Sequence, residues 1–368
     1  MGPLGILVST FQVVLLQYLI SADEFNAWGW RVPFLLSAIL LLFSLKSRMS
    51  LVESPVFERL RENNALSNAP LREVFSDRQT LGRMALLFFC ISASGALLFF
   101  TSQVYTNVYL KSVVRLEPQL ASTLVMISTL ALFPFIVVFA WVSDRVGRKP
   151  VILTGMLLGC ISLMPVYQGL LHYGNPAMQR FIQEVPVIIY GDACSYNPFS
   201  TPRNDCERNQ ELFTNLGVTH TILPQRKVNL TEVSIGIENR VSGFNPAAIR
   251  AVLKSQGWRA QADPVHSDLV MMALLLCIPV IALALVTGPQ TAVVAELFPA
   301  RTRYTAVALP HNLSLGWIGG LSPFVVTYLN VKDGDAISGL WYPIGMLMIG
   351  LLAGLFFLPE TRHVSLHD

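Results

Sequence analysis

The chain has 368 residues, of which 53% are hydrophobic and 13% are charged, with a formal net charge of +3 and a mean hydropathy of +0.52. So few charges cannot cover a soluble globule of this size, and the composition is typical of a polytopic membrane protein. The basic residues are scattered among loop ends rather than gathered into a stripe, which argues against nucleic acid as a partner. The expected partner is the lipid bilayer.

Eight segments are candidates for membrane-spanning helices, which need roughly 20 mainly apolar residues. In chain order they are residues 3–20, 32–45, 84–110, 121–142, 151–171, 269–295, 305–329 and 337–358. The second segment is short, but Trp28, Trp30 and Arg31 can extend it into the interface. The first has no cationic n-region and no nearby small-residue cleavage site, so it does not read as a cleaved signal peptide. The sequence predicts an all-α polytopic membrane protein.

The short loop between the fourth and fifth segments predicts the orientation. It contains Asp144, Arg145, Arg148 and Lys149, and a short loop with three cations stays on the cytoplasmic side. Counting spans from this loop places residues 46–83, 298–304 and both termini in the cytoplasm. We expect an integral protein of a bacterial inner (plasma) membrane.

A polar stretch, residues 172–267, separates the fifth and sixth segments and falls on the extracytoplasmic side in this orientation. Asn245 as N-cap, Pro246 at the first helical position and Gly257 past the end predict a helix over 247–256. Residues 185–190 read as a buried strand. The stretch is therefore expected to form a small α+β insertion.

Two of the five cysteines, Cys194 and Cys206, lie in this stretch. An oxidising compartment would permit a disulfide between them, which would contribute about 3 kcal/mol by closing a short loop. Two free thiols are the alternative. No His or further Cys stands at ligand spacing beside the pair, so no metal site and no cofactor are expected.

Polar side chains within the apolar segments are costly unless they face protein or water, and they mark candidates for a substrate cavity. The candidates are Gln103 and Asn107, four residues apart on one helical face, Thr287 and Gln290 around Gly288-Pro289, and His311 and Asn312 after Pro310. They can donate or accept hydrogen bonds to a carboxylate or hydroxyl. The alternative for each is a helix-to-helix hydrogen bond.

His311 is the mid-segment group with a pKa in a useful range for proton coupling, because no segment carries a carboxylate in its middle. It is either the coupling residue or a plain hydrogen-bond donor, and we favour the donor.

The charges of loop 141–150 have candidate partners beyond the sixth segment. Arg145 and Arg148 can pair with Glu296, and Asp144 can meet the N-terminal end of a neighbouring helix. Gly147 permits a tight turn between them. Arg301 and Arg303 are further candidate partners. The alternative is a solvated loop that serves topology alone.

Seven stretches together resemble the metabolite:proton symporter family of the major facilitator superfamily, which includes carriers for shikimate, α-ketoglutarate, citrate and proline or betaine. They are AWGWRVPFLLS at 27–37, ESPVF at 53–57, DRVGRK at 144–149, GPQTAVVAELFPARTRY at 288–304, LPHN at 309–312, the glycine pair at 319–320 and LPETR at 358–362. Two departures are Ala140, where the loop motif usually has Gly, and His311-Asn312, where the family more often has Tyr-His.

The resemblance implies a major facilitator fold that is N-terminally incomplete, with eight of the twelve helices. It divides the chain into six regions: the last two helices of the N-terminal half (1–45), a central cytoplasmic loop (46–83), three helices of the C-terminal half (84–171), the extracytoplasmic insertion (172–267), three more helices (268–358) and a cytoplasmic tail (359–368). It also implies that Asp144, Arg145, Gly147, Arg148 and Lys149 latch the cytoplasmic face shut, and that a full-length carrier is a monomer.

The leading functional prediction is a secondary active transporter that moves a small organic acid or zwitterionic metabolite with protons. The alternative is a non-transporting membrane protein that senses or binds a ligand through its extracytoplasmic module. An enzyme is disfavoured, because no nucleophile with a base at suitable spacing, no glycine-rich phosphate cradle and no metal-ligand cluster is visible.

Overall fold

The computed structural model describes residues 2–49, 58, 61–62, 69–191, 194, 197, 199–224 and 231–362. The motif at 53–57 and the tail from 363 onward lie outside these residues. The described chain forms a bundle of long apolar helices with a small α/β module, residues 176–258, at one end. We call this end of the bundle the module end, and the end that carries loop 141–150 the loop end.

Three helices open the chain: α1 (Gly2–Leu19), α2 (Ala22–Ala27) and α3 (Val32–Met49). The turn between the first two is stabilised by a capping box, in which Ser21 and Glu24 each satisfy a backbone N–H of the other. Helix α1 packs along a later helix of the bundle, residues 118–146. Helix α3 is apolar but leaves most of its large side chains exposed, as a helix surrounded by lipid does.

After the short α4 (Pro70–Ser76), helix α5 runs unbroken over Arg78–Ser112. Asp77 caps its start by accepting hydrogen bonds from the N–H groups of Gln79 and Thr80. The helix widens to π-type hydrogen bonding at Leu87–Ser92 and again at Phe100–Tyr105. Such wide turns rotate the side chains that follow them and often occur at functional sites.

Helices α6 (Pro118–Val146), α7 (Arg148–Gly174) and α11 (Leu269–Leu297) form the densest part of the bundle. Helix α5 joins them through a buried tyrosine cluster. The Tyr109 hydroxyl donates to the carbonyl of Tyr167 at 3.0 Å, and the hydroxyls of Thr106 and Tyr167 lie 2.8 Å apart. These bonds satisfy polar groups that would be costly in an apolar core.

The last part of the bundle is α12 (Arg303–Leu313), a π-type turn at Ser314–Gly319, α13 (Ser322–Asp333) and α14 (Trp341–Phe357). The predicted seventh segment, 305–329, is therefore divided rather than one regular helix. The glycine pair 319–320 lies at the division, where missing side chains weaken a helix.

Six helices of the described residues are long and apolar enough to cross a membrane: Gly29–Ser47, Arg78–Ser112, Pro118–Val146, Arg148–Gly174, Leu269–Leu297 and Ser338–Phe357. Eight were predicted. The difference lies in the divided seventh segment and in the first, where the apolar part that qualifies is the shorter Leu7–Leu19. The prediction of a polytopic, mainly helical membrane protein stands.

The module contains α8 (Pro176–Glu184), β1 (Val187–Tyr190), α9 (Asp205–Asn215), β2 (Thr221–Leu223), β3 (Glu232–Ile235), β4 (Asn239–Ser242) and α10 (Pro246–Ser255). The sheet has the order β2-β1-β3-β4, with β1 parallel to β2 and the other pairs antiparallel. Its helices pack on the sheet around a separate apolar core that includes Ile189, Phe213 and Val233.

Local signals in this module were informative. Asn245 caps α10 by accepting the N–H of Ala248 at 3.1 Å, which confirms the predicted helix start. The predicted strand is present as β1. The structure joins Cys194 and Cys206 in a disulfide, with 5.4 Å between their Cα atoms.

Candidate functional site

A cluster of charges at the loop end connects four parts of the bundle. Arg148, at the start of α7, donates two hydrogen bonds to Glu296 near the end of α11, at 2.9 and 3.1 Å. It also pairs with Asp144 in the last turn of α6. The side chains of Arg148 and Glu296 are only 11% and 9% exposed. A bidentate pair with so little contact with water is held far more strongly than a surface pair.

The fourth part is the segment after α14. The Thr361 hydroxyl donates to Glu296. The carboxylate of Glu360 accepts the backbone N–H groups of Arg148 at 2.9 Å and Lys149 at 3.1 Å. It therefore lies at the N-terminal end of α7, where the unpaired N–H groups and the helix dipole favour an anion. Burial opposes ionisation of Glu360, but these backbone hydrogen bonds outweigh it and lower its pKa.

Gly147 makes this arrangement possible. Its φ is +121°, and a Cβ at this position would lie 2.6 Å from Oε2 of Glu360. A side chain is thus excluded both by the backbone conformation and by the carboxylate. Gly147 permits the turn that the sequence predicted, and it also leaves the space that Glu360 occupies.

Two expected pairings in this region were wrong. Arg145 does not reach Glu296; its guanidinium lies 3.7 Å from the ring centre of Trp141, and its carbonyl accepts a hydrogen bond from Arg362. Asp144 does not meet a helix N-terminus, because Glu360 occupies that place and Asp144 pairs with Arg148. Among the loop cations, Lys149 donates to the carbonyl of Leu355 at 2.9 Å.

The expected partners Arg301 and Arg303 also lie outside the cluster. Arg301 pairs with Glu73 at 3.3 Å, and Arg303 donates to the carbonyl of Phe298 at 3.0 Å. Sequence reasoning instead missed Glu360 and Thr361. The signal was present, since the stretch 358–362 carried part of the family resemblance, but nothing in its spacing pointed to loop 141–150.

The polar groups within the bundle form separate pairs. Nδ1 of His311 lies 3.0 Å from the Ser92 hydroxyl, which sits in the first π-type turn of α5. Gln103, in the second π-type turn, is buried and accepts a hydrogen bond from the Thr129 hydroxyl on α6. The two wide turns of α5 thus each present a polar group to a neighbouring helix.

The remaining candidates differ in their surroundings. Thr287 and Gln290 lie together against α5, since a Cβ on Gly95 would lie 3.6 Å from Cγ2 of Thr287 and 3.1 Å from Oε1 of Gln290. The Asn107 amide is 3.5 Å from the Ser122 hydroxyl. Asn312 is exposed and donates to the carbonyl of Ala308 on its own helix at 2.7 Å. His311, Thr287 and Gln290 therefore share α5 as a neighbour, whereas Asn312 faces away from it.

In the part of the chain that the structure describes, no group of three or more His, Cys, Asp or Glu side chains is placed to hold a metal ion. The arrangement offers hydrogen bonds and ion pairs rather than a nucleophile or a metal centre.

Comparisons with known proteins give a consistent result. A family model described as Major Facilitator Superfamily matches residues 5–169. The inner membrane metabolite transport protein YhjE of Escherichia coli (strain K12) is 24% identical over 99% of this chain and 62% of its own length. A Staphylococcus aureus (strain MSSA476) protein, provisionally named a proline/betaine transporter, is 29% identical over 98% of this chain and 57% of its own.

The alpha-ketoglutarate permease of Escherichia coli (strain K12) is 30% identical over 47% of this chain and 38% of its own length. The chain thus spans less than two thirds of the length of these curated relatives. No solved structure matches it. These relatives are named as transporters and not as enzymes.

Proposed function

We propose that this chain belongs to the major facilitator superfamily, whose model matches residues 5–169, and that it works as a secondary active transporter, as its metabolite-transporter relatives are named. It moves a small organic acid or a zwitterionic metabolite together with protons, by alternating access. It is an integral membrane protein and not an enzyme.

The observation that carries this proposal is the ion-pair cluster at the loop end. Arg148, Asp144 and Glu296 connect α6, α7 and α11, and Glu360 adds the segment after α14. A cluster that ties four helix ends together holds that end of the bundle closed, and its disruption frees the ends to separate. An ion-pair cluster that can form and break is one way to stabilise one of the two states that alternating access requires.

We assign the loop end to the cytoplasm, with both described ends of the chain on that side. The support is the excess of short-loop cations there. The disulfide between Cys194 and Cys206 in the module agrees with an oxidising compartment on the other side.

The groups proposed to meet the substrate are those that share α5 as a neighbour: His311, Thr287 and Gln290. Gln103 is buried in the second π-type turn of α5, and its hydrogen bond from Thr129 is proposed to support the transport path. Neutral hydrogen-bonding groups of this kind suit a carboxylate or a zwitterion, because they stabilise it without trapping it. Nδ1 of His311 meets a hydroxyl rather than a carboxylate, which favours its role as a hydrogen-bond donor or acceptor over proton coupling.

The test is uptake by the purified chain in proteoliposomes with an imposed pH gradient. Radiolabelled L-proline and α-ketoglutarate serve as substrates, and a protonophore collapses the gradient as the control. Gradient-dependent accumulation of either is expected. Binding of both without accumulation, with or without the gradient, would overturn the transport proposal.

A pair of matched variants tests the cluster within the same assay. Glu296→Gln leaves Arg148 with one carboxylate and is expected to lower the uptake rate about tenfold, since breaking a largely buried pair costs several kcal/mol. Glu73→Gln breaks the exposed pair with Arg301, which contributes at most about 1 kcal/mol. Its uptake is expected to stay within about twofold of the wild type. Equal effects of the two changes would argue against a latch.

A further inference from the structure

A cavity of about 220 Å³ lies between the module and the module end of the bundle. One wall is the end of α5 with the loop after it, and the second is the end of α9 with the module loop at 217–220. The third is the end of α13 with the loop at 334–336. The cavity is far from the loop-end cluster. It is also separate from the polar groups in the middle of the bundle, because His311, Thr287 and Gln290 are not among its lining residues.

The module contacts the bundle closely beside this cavity. At two glycines the contact leaves no room for a side chain. A Cβ on Gly217 would lie 2.6 Å from the carbonyl oxygen of Ser112, and one on Gly334 would lie 1.8 Å from that of His220. Both glycines have positive φ, at 69° and 70°. The N–H of His220 donates to the carbonyl of Gly334 at 2.9 Å. Because the two backbones are in direct contact at these glycines, the cavity is part of a closely packed interface between the module and the bundle.

Arg115 is held in place beside this cavity. It has a φ of 64° and is the only non-glycine residue with positive φ in the described part of the chain. Its guanidinium donates to the carbonyls of Ala260 and Asn215, each at 3.0 Å, and its own carbonyl accepts the N–H of Ala262. A strained backbone persists where the surroundings enforce it, often at ligand sites. Two of the five N–H donors are used, so the others can meet a ligand.

His220 also lines this cavity, and its imidazole has an unused acceptor. Its Nδ1 lies 3.2 Å from the carbonyl of Val218, which makes Nδ1 the donor and Nε2 the acceptor. The residue is 4% exposed, and among the described residues Nε2 has no hydrogen-bond partner. A buried acceptor without a donor is costly. A ligand N–H within the cavity would relieve that cost.

The third wall adds the opposite charge. Asp335 follows Gly334, and one of its carboxylate oxygens accepts the N–H of Ile337 at 3.3 Å. The neighbouring Asn330 is fully used: its amide donates to Tyr105 and Ala336, and its oxygen accepts the N–H of Gly339. Asn330 therefore shapes the wall, and Arg115, His220 and Asp335 are left as the groups that can recognise a ligand.

We propose that this cavity binds a small zwitterionic metabolite, with Arg115 holding its carboxylate and with Asp335 and Nε2 of His220 meeting its ammonium group. The volume suits a molecule of amino-acid size. Because all three walls contribute, occupancy holds the module, the end of α5 and the end of α13 together. The site is distinct from the transport path and does not depend on transport.

The first test is equilibrium dialysis of the full chain in detergent with radiolabelled L-proline. Two competitors keep the five-membered ring: pyrrolidine lacks the carboxylate, and cyclopentanecarboxylate lacks the ammonium. Saturable proline binding is expected, with each competitor at least about tenfold weaker than unlabelled proline. No saturable binding up to about 10 mM proline, or equal competition by either analogue, would overturn the proposal.

Variants then locate the binding. Arg115→Gln and His220→Phe are each expected to weaken proline binding about tenfold, and Thr219→Trp should block it by filling the cavity without removing the hydrogen bonds of Arg115. Arg259→Gln is the matched control, since Arg259 is exposed in the same stretch and pairs with Asp263. Size-exclusion profiles identify any variant that fails to fold.

A second control separates this site from the bundle. Gln290→Ala alters the candidate transport path, so it tests whether the measured proline binding lies within the bundle instead. Proline binding that Gln290→Ala weakens and Thr219→Trp leaves intact would place the ligand in the bundle and overturn the proposed cavity site, while leaving the transport proposal standing.

Discussion

Glu360 accepts the backbone N–H of Arg148 at 2.9 Å, so the segment that follows the last helix provides the N-terminal cap of a helix more than 200 residues earlier in the chain. The same carboxylate accepts the N–H of Lys149. Together with the pairing of Arg148 and Glu296, this long-range cap connects four parts of the bundle. The loop-end cluster is therefore a structural contact and not only a charged, solvated loop.

The cap predicts a measurable loss of stability when Glu360 is changed. Glu360→Ala leaves two helix N–H groups without their acceptor, and loss of an N-cap costs about 1 kcal/mol. The melting temperature of the detergent-solubilised protein is expected to fall. Glu117→Ala, at the exposed start of α6, is the control because Glu117 makes no side-chain hydrogen bond there. An equal fall in both variants would contradict the cap.

The pH dependence of this cap has a definite sign. The pKa of Glu360 is lowered in the folded protein, so its stabilisation is present above the ordinary glutamate pKa and is lost as the pH falls toward the lowered value. The difference in melting temperature between wild type and Glu360→Ala is therefore expected to shrink below about pH 4.3.

Gly147→Ala should be far more damaging than an ordinary change of glycine. The new Cβ would need a φ of +121° and would lie 2.6 Å from the carboxylate of Glu360. We expect a loss of about 1–3 kcal/mol from backbone strain alone. Gly345→Ala is the control, because its Cβ would meet nothing within 4 Å inside α14, and alanine favours a helix there. Melting curves of the two variants should move in opposite directions.

His220 predicts an acid-sensitive module. Burial lowers the pKa of this imidazole, so the unfolded chain binds a proton more readily than the folded one. The stability of the module should then decline as the pH falls below the ordinary histidine value of about 6.5. Fluorescence of the buried Trp258 during urea unfolding, at pH 7.5 and at pH 5.5, would measure the decline.

The control for this behaviour is another histidine. His220→Phe, which keeps a ring against Phe213, should flatten the pH dependence, whereas the exposed His266→Gln should preserve it. A pH profile that His220→Phe leaves unchanged would assign the acid sensitivity to other groups.

His311 provides a prediction about transport. If it acts as a hydrogen-bonding group with Ser92, then His311→Gln retains the hydrogen bond and should leave the pH profile of uptake unchanged. His311→Leu removes the bond and should lower the rate about tenfold, as expected for an unpaired buried hydroxyl costing 1–3 kcal/mol. Loss of the pH profile in His311→Gln would show that His311 couples protons.

Several features could be predicted from local sequence because their causes are local. Apolar length predicted the long helices, since a bilayer admits only backbone that satisfies its own hydrogen bonds. Asn245 and Pro246 predicted the start of α10, since this cap acts within three residues. The division of the seventh segment was not predicted. Pro310 and Gly320 lower helix stability, but the sequence does not show where contacts with neighbouring helices compensate for that loss.

The sequence by itself determined the membrane class, most helix positions and the residue types available for ion pairing at loop 141–150. The tertiary structure alone decided the partners: Arg148 rather than Arg145 meets Glu296, Glu360 rather than Asp144 caps α7, and Arg301 joins Glu73. The physical reason is the distance along the chain over which each kind of interaction acts. Helix formation and local caps such as that of Asn245 depend on neighbours a few residues away. A charge instead meets whichever opposite charge or helix end the packing of distant helices brings within about 4 Å.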